Sequence, residues 1–501
     1  MISNTDAIVA AMILYMGICL ILGFIAYRRT FNLGDFILGG RSLNSFVTAF
    51  SAQATDMSGW LLMGLPGLAY ASGFDSVWMA LGLTVGTYLN WKLVAARLRT
   101  RTEQLDNSLT LPDYFERRFE DRTRLLRTLT ATFILVFFVF YTSSGFVAAG
   151  RLFEALFGMP YVEAMFWGSI VMLAYTFFGG FLAVSWSDVL QGTLMIFALV
   201  LVAVLGIALA GGAGETWARI EALDPSLLDP FAVEGTSLGW IGVISLLGWG
   251  LGYAGQPHIL ARFMAAQSAG HITLARRIAM AWVITVLAAA VIVGLTGLLA
   301  LPERLEGPDR ETVFIRMATD FFPPAIAGIC LAGVMAAIMS TASAQLLVAS
   351  SAFVQDFYRG LFRRDAGGRE LLWIGRFAVL VIAVLAFLLG LDPESKVLDL
   401  VSWAWAGFGA AFGPAIILSL YWERTTRTGA LAGILVGGLT VILWKQGLGS
   451  FAARDPQSLL GQLGQLYELV PGFILSWVAI WVVSLFTAPV REAVSLQRSP
   501  R

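Results

Sequence analysis

The chain has 501 residues, of which 58% are hydrophobic and only 13% charged. A soluble domain carries about 45–50% apolar and about 25% charged residues, so this composition belongs to a polytopic membrane protein and excludes a soluble enzyme, a disordered chain or a nucleic-acid binder. Basic and acidic residues balance at 33 each, Cys19 and Cys330 make no disulfide framework, and two histidines are too few for an imidazole-rich metal site.

Apolar runs of about 20 residues can cross a bilayer. They fall near 7–27, 45–70, 74–96, 125–150, 161–183, 187–211, 237–261, 277–301, 319–350, 372–391, 397–421, 428–446 and 467–487, which predicts thirteen membrane helices in an all-α fold. The first run lacks the basic start and small-residue cleavage site of a secretory signal. The second reads Ser51-Ala-Gln-Ala-Thr-Asp56-Met-Ser-Gly-Trp60 and puts a carboxylate, hydroxyls and a glycine in mid-membrane. A carboxylate there costs about 2.5–3.5 kcal/mol and marks an ion or substrate path. The other reading is a helix N-cap by Thr55, Asp56 or Ser58.

Between the third and fourth spans, 104–122 reads as a cytoplasmic loop in which Leu111, Tyr114, Phe115 and Phe119 predict a short interfacial helix. Residues 212–236 read as an acidic external loop. The seventh span, Gly248-Trp-Gly-Leu-Gly-Tyr-Ala-Gly-Gln-Pro257-His, holds four glycines and a proline, and either breaks or presents a glycine face for close packing. His258 reads as a structural hydrogen-bonding residue, with substrate or proton contact as the alternative. In the ninth span Ala337, Ser340 and Thr341 share a helix face at i, i+3 and i+4. Their hydroxyls, with carbonyls freed over Ala54–Met57, make a hard-oxygen half-shell suited to an alkali cation; alternatively they bond back to their own helix.

The two interrupted spans lie five apart and so run in opposite directions. This is the pattern of an inverted repeat, spans 2–6 (45–211) against spans 7–11 (237–421), with the site where the breaks meet. Residues 1–44 and 428–487 are then peripheral, and 488–501 form a tail. Twenty-five of the 33 basic residues fall in loops of one face and eight in the other, which puts the N-terminus outside and the C-terminus in the cytoplasm. No phosphate-binding G-x-x-x-x-G-K-[ST] motif occurs, so nothing points to an ATP-driven pump.

The runs "FILGGRSLNSFVTAFSAQATDMSGWLLMGLPG", "GGFLAVSWSDVLQG", "GWGLGYAGQPHILARFMAA" and "AGVMAAIMSTASAQLLVASSAFVQDFY" resemble the sodium/solute symporter family, most of all its proline-carrying branch, over nearly the whole chain. The resemblance implies a leucine-transporter-type five-plus-five core in the plasma (inner) membrane. It implies a sodium site of Ala54, Met57 and Ala337 carbonyls with the Ser340 and Thr341 hydroxyls, Asp56 nearby. Ser58, Gly59, Trp60, Tyr141, Trp249, Tyr253 and Pro257 would border the substrate. Asp188 matches a position linked to ion release, and is equally a capping box, Ser185-Trp-Ser-Asp188, opening the sixth span. Arg41 is either a positive-inside anchor or a gate residue. Gln53 departs from the small residue expected at its place.

The expected activity is import of L-proline driven by Na+, without enzymatic chemistry, protein partner or nucleic acid. Amides freed at Ser58 and Gly59 would take the carboxylate, and the faces of Trp60, Trp249 or Tyr253 the ammonium. Proton coupling through Asp56 or Asp188, carriage of another small solute, and a transporter-like sensor are the alternatives.

Overall fold

The computed structural model describes residues 4–27, 33–178, 180–233, 235–363, 365–450, 455 and 458–487. Arg28, Arg29 and the tail expected over 488–501 lie outside the described residues. Apart from a hairpin of Ala232–Val233 with Thr236–Ser237, every described element is helical. Eight described helices are individually long and apolar enough to cross a membrane, and two shorter apolar ones, Tyr161–Leu173 and Trp373–Leu389, join them. The second, third and seventh predicted spans are each assembled from pieces.

The second span runs Ser45–Asp56, capped by the Asn44 side chain, and stops at Met57, whose ψ of 79° leaves the helical region. A π-turn, Trp60–Gly64, and the helix Leu65–Ser72 complete the crossing. Before the break, Thr55 Oγ1 donates to the Ser51 carbonyl at 2.7 Å, the local competition for backbone that weakens a helix here. The seventh span is Gly239–Gly248, a tighter turn of helix over Trp249–Gly255, extended Gln256 and the helix Pro257–Ala265. Proline drives the residue before it out of the α region and fits at a helix start, so Gln256-Pro257 ends one segment and opens the next. The glycine-packing reading holds at the same time. A Cβ on Gly250 would overlap the Gly82 carbonyl, and one on Gly252 the Trp405 indole.

Two loops differ from expectation. The helix predicted in 104–122 exists as Leu111–Arg118, but its apolar face is covered by protein and not left open to lipid. Leu111, Tyr114, Phe115 and Phe119 are buried in the bundle, with Tyr114 Oη 2.9 Å from Ser419 Oγ. An apolar helix face seeks the nearest dry surface, and here that surface is protein. Residues 212–236 contain a helix, Ala213–Leu223, and the hairpin. This segment is pinned over the end of the second span, where Gly73, at φ 96°, meets the Leu227 backbone and Trp78 Nε1 donates to the Pro230 carbonyl.

Candidate functional site

The helix Pro324–Ala352 runs unbroken past the break in the second span. Ser340 Oγ lies 2.7 Å from the Ala54 carbonyl oxygen and 3.1 Å from that of Ala337; Thr341 Oγ1 lies 3.5 Å from the Ala54 oxygen. Back-bonding within the ninth span is therefore real for Ser340, but its shorter contact crosses to the broken span. Ala54, Ala337, Ser340 and Thr341 thus meet at one point. Asp56, two residues beyond Ala54, is fully buried, and neither carboxylate oxygen has a hydrogen-bond partner among the described residues. That removes the N-cap reading for Asp56. A buried carboxylate is costly without a compensating cation, so this corner is electrostatically prepared for one. No cluster of three His, Cys, Asp or Glu side chains among the described residues could hold a metal. The convergent donors are carbonyls and hydroxyls.

The Asp56 carbonyl turns the other way. It accepts from Trp60 Nε1 at 3.2 Å and from Tyr141 Oη at 3.5 Å. Trp60 thus edges its own break, and the Ser58 amide, expected to receive an anion, already donates to that carbonyl at 3.1 Å. Gly59 lets the fourth span close in: a Cβ there would stand 2.9 Å from Ala148 Cβ. From the seventh span the Tyr253 hydroxyl approaches the Asp56 carboxyl outside hydrogen-bond geometry. Tyr141 and Tyr253 therefore gather at Asp56 from two elements. Trp249 stands further out, stacked at 5.3 Å on Tyr467, next to the last long helix. Pro257 borders a narrow crevice with Thr110, Pro112, Ala261, Met264 and Ser351.

Two wall residues escaped the sequence. Trp405 meets Tyr253 edge-on at 4.9 Å and donates to the Trp249 carbonyl. Phe138 and Tyr141 both present rings to His258 at 5.7 Å. His258 is fully buried with neither ring nitrogen bonded among the described residues, so it is not the hydrogen-bonding residue expected. Trp405 could have been suspected from Trp403-Ala-Trp405-Ala-Gly in the eleventh span. For Phe138 the sequence holds no signal beyond a long apolar run. Gln53 reaches Trp91 Nε1 through Oε1 at 3.1 Å.

On the N-terminal side of the break, Ser51 Oγ donates to Asp188 Oδ2 at 2.6 Å, Arg262 Nη2 lies 3.7 Å from the same oxygen, and Arg262 Nε lies 3.3 Å from Ser51 Oγ. The capping-box reading of Asp188 fails: its helix starts at Phe181, with Gly180 as N-cap, two turns earlier. Arg41 donates to the Met264 and Ser108 carbonyls at 2.7 and 3.1 Å and to Thr102 Oγ1 at 3.1 Å, so it ties three segments together rather than anchoring in lipid. Burial, and then Arg99 nearby, bring its guanidinium down to about 10. Backbone bonds from Leu43 to Ala265 and from Gln267 to Leu43 join the start of the second span to the end of the seventh.

Two broken helices of opposite direction, meeting beside a continuous hydroxyl-bearing one, define a secondary-transporter fold of the five-plus-five inverted-repeat class. Solved structures share it. A Na+-coupled sialic acid symporter superposes with a TM-score of 0.77 at 19% identity over 96% of this chain and 98% of that one. Mhp1, a nucleobase-cation-symport-1 family transporter, gives 0.57 at 15% over 93% and 98%. The chain belongs to the sodium:solute symporter family, whose pattern matches residues 36–437. Relatives include the sodium/proline symporter of Escherichia coli, 51% identical over 96% of this chain and 93% of that protein, and the high-affinity proline transporter of Bacillus subtilis, 48% identical over 95% and 98%.

Proposed function

We propose that this protein imports L-proline with Na+ by alternating access. The observation that carries the reading is the convergence of Ser340, Thr341 and Ala337 on the Ala54 carbonyl beside the unpartnered Asp56 carboxylate, in a chain about half identical to sodium/proline symporters over nearly its full length. The carbonyls of Ala54, Met57 and Ala337 with the two hydroxyls hold the ion as co-substrate, and Asp56 supplies the field. Tyr141 and Tyr253 place the imino acid against the break, while Ser58, Gly59, Trp60, Trp249 and Pro257 shape its surroundings. Asp188 and Arg41 act on the cytoplasmic side, in ion release and gating.

The chain crosses a bacterial plasma membrane thirteen times, N-terminus outside and C-terminus in the cytoplasm. Spans 2–6 and 7–11 are the two repeats. No covalent bond changes in the cycle, so the protein is a carrier and not an enzyme. One sodium entering down a 100 mV potential releases about 2.3 kcal/mol. A tenfold gradient adds about 1.4, enough in total for several-hundred-fold accumulation. The test is radiolabelled L-proline uptake into proteoliposomes. Uptake must rise with an inward sodium gradient and fall to background when choline replaces sodium at fixed pH; choline-insensitive uptake that follows a pH gradient would favour proton coupling through Asp56.

A further inference from the structure

The helix Val77–Leu89, with its continuation Asn90–Ala95, and the first turns of His271–Ala300 share a lipid-facing surface on which two cations crowd one aromatic ring. Lys92 Nζ lies 5.5 Å and Arg276 Cζ 5.7 Å from the centroid of Tyr88, whose side chain is exposed. Each is held beside the same ring, and two like charges on one patch of surface are better accommodated with an anion among them. None is built in: residues 77–102 and 271–302 contain no Asp or Glu, and neither cation has an ion-pair or hydrogen-bond partner among the described residues. On the helix that carries Tyr88, Leu81, Val85 and Leu89 are exposed on the far side of Lys92 from the helix end. Charge and apolar surface are thus stacked in the order of a lipid: two cations and a phenol at the water boundary, bare aliphatic side chains toward the membrane interior.

We infer that Tyr88, Lys92 and Arg276 bind the phosphate of an anionic phospholipid whose acyl chains lie along Leu81, Val85 and Leu89. The apolar half makes the occupant a lipid rather than a free phosphate, and the uncompensated double charge makes it anionic rather than zwitterionic. The site lies apart from the transport residues and does not depend on which solute is carried.

The experiment measures lipid retention by native mass spectrometry and thermal stability of the detergent-purified protein, titrated with phosphatidylglycerol, phosphatidylcholine or inorganic phosphate. Phosphatidylglycerol is expected to stay bound and raise the melting temperature, with phosphatidylcholine and phosphate weaker. A basic residue at a membrane surface contributes about fivefold to binding an anionic lipid. Lys92→Gln with Arg276→Gln should therefore weaken retention about 25-fold, and raised salt should weaken the native protein likewise. Arg122→Gln, which removes one exposed charge elsewhere in the cytoplasmic loops, should leave retention unchanged, whereas Lys92→Gln alone, which removes the same charge at the site, should weaken it about fivefold. Because the double variant changes only surface side chains, its sodium-driven uptake reports whether it has folded; if it misfolds, Tyr88→Leu with Lys92→Gln replaces it. Equal retention of both lipids, an equal shift by phosphate alone, or undiminished retention in the folded variant overturns the assignment.

Discussion

Replacing Ser340 by alanine takes one oxygen from the point where the second and ninth spans touch. The hydroxyl stands 2.7 Å from the Ala54 carbonyl and 3.1 Å from that of Ala337, while Thr341 Oγ1 is 3.5 Å from Ala54. With a cation between them, the serine lone pairs turn to the ion, and each lost contact to a charged partner costs about 1.5–3 kcal/mol. At 1.4 kcal/mol per tenfold, Ser340→Ala should raise the sodium concentration for half-maximal uptake about 10- to 150-fold. Thr341→Ala, at the longer contact, belongs at the low end of that range. Uptake of labelled L-proline into proteoliposomes, titrated with sodium at constant ionic strength, measures this. At saturating sodium the proline KM of either variant should stay within about threefold of the native value, because neither hydroxyl is placed against the substrate. Unchanged sodium dependence in both variants, or a loss of proline affinity that saturating sodium does not restore, would refute the site.

Asp188→Asn leaves Arg262 buried without its counter-charge, and breaking a buried pair costs about 3–5 kcal/mol. The melting temperature should fall clearly, and the double variant Asp188→Asn with Arg262→Gln should fall by less than the sum of the two singles. Gly252→Ala drives a methyl group into the Trp405 indole, so folded protein in the membrane, measured by size-exclusion fluorescence, should drop severalfold, while Gly214→Ala, with open space around it, should not change it. Glu311, in the segment between the eighth and ninth spans, accepts from the Val397 and Leu398 amides at 2.8 and 2.9 Å, and burial raises its carboxyl from 4.5 to about 7. A raised carboxyl favours the fold while it is protonated. Its contribution is therefore complete below about pH 4.5 and lost as pH rises through about 7. Melting temperature against pH should show this fall, and Glu311→Gln should flatten it.

The broken spans were legible because each break has a local cause: hydroxyls and a carboxylate over Ser51–Ser58, glycines and a proline over Gly248–Pro257. The five-span offset carried the repeat in the same way. What the sequence hid is who stands opposite whom. Ser185-Trp-Ser-Asp188 reads as a helix start because spacing alone supports it, yet the helix begins at Phe181, and Asp188 faces Ser51 and Arg262 instead. Leu111, Tyr114 and Phe115 mark an amphipathic helix but not whether its apolar face meets lipid or protein. His258 is the sharpest case: nothing local distinguishes a hydrogen-bonded imidazole from one enclosed by Phe138 and Tyr141. Residues supplied from 100 or more positions away, such as Trp405 beside Tyr253, depend on tertiary packing that no periodicity encodes.

The unwound turn after Ala54 gives coupling a physical route. The Ala54 carbonyl faces the Ser340 hydroxyl, and the Asp56 carbonyl, two residues on, faces Trp60 and Tyr141. Both hang from backbone that Met57 has released from the helical register. An ion that fixes Ala54 fixes Asp56 through only two peptide planes, so it orders the partners of Trp60 and Tyr141 before a substrate arrives. Linkage makes the effect reciprocal: proline must tighten sodium by the factor with which sodium tightens proline. A turn of ordinary helix could not serve, since its carbonyls are already committed to amides four residues on. The break therefore supplies both the carbonyl oxygens released from helical amides and the short covalent path that couples them.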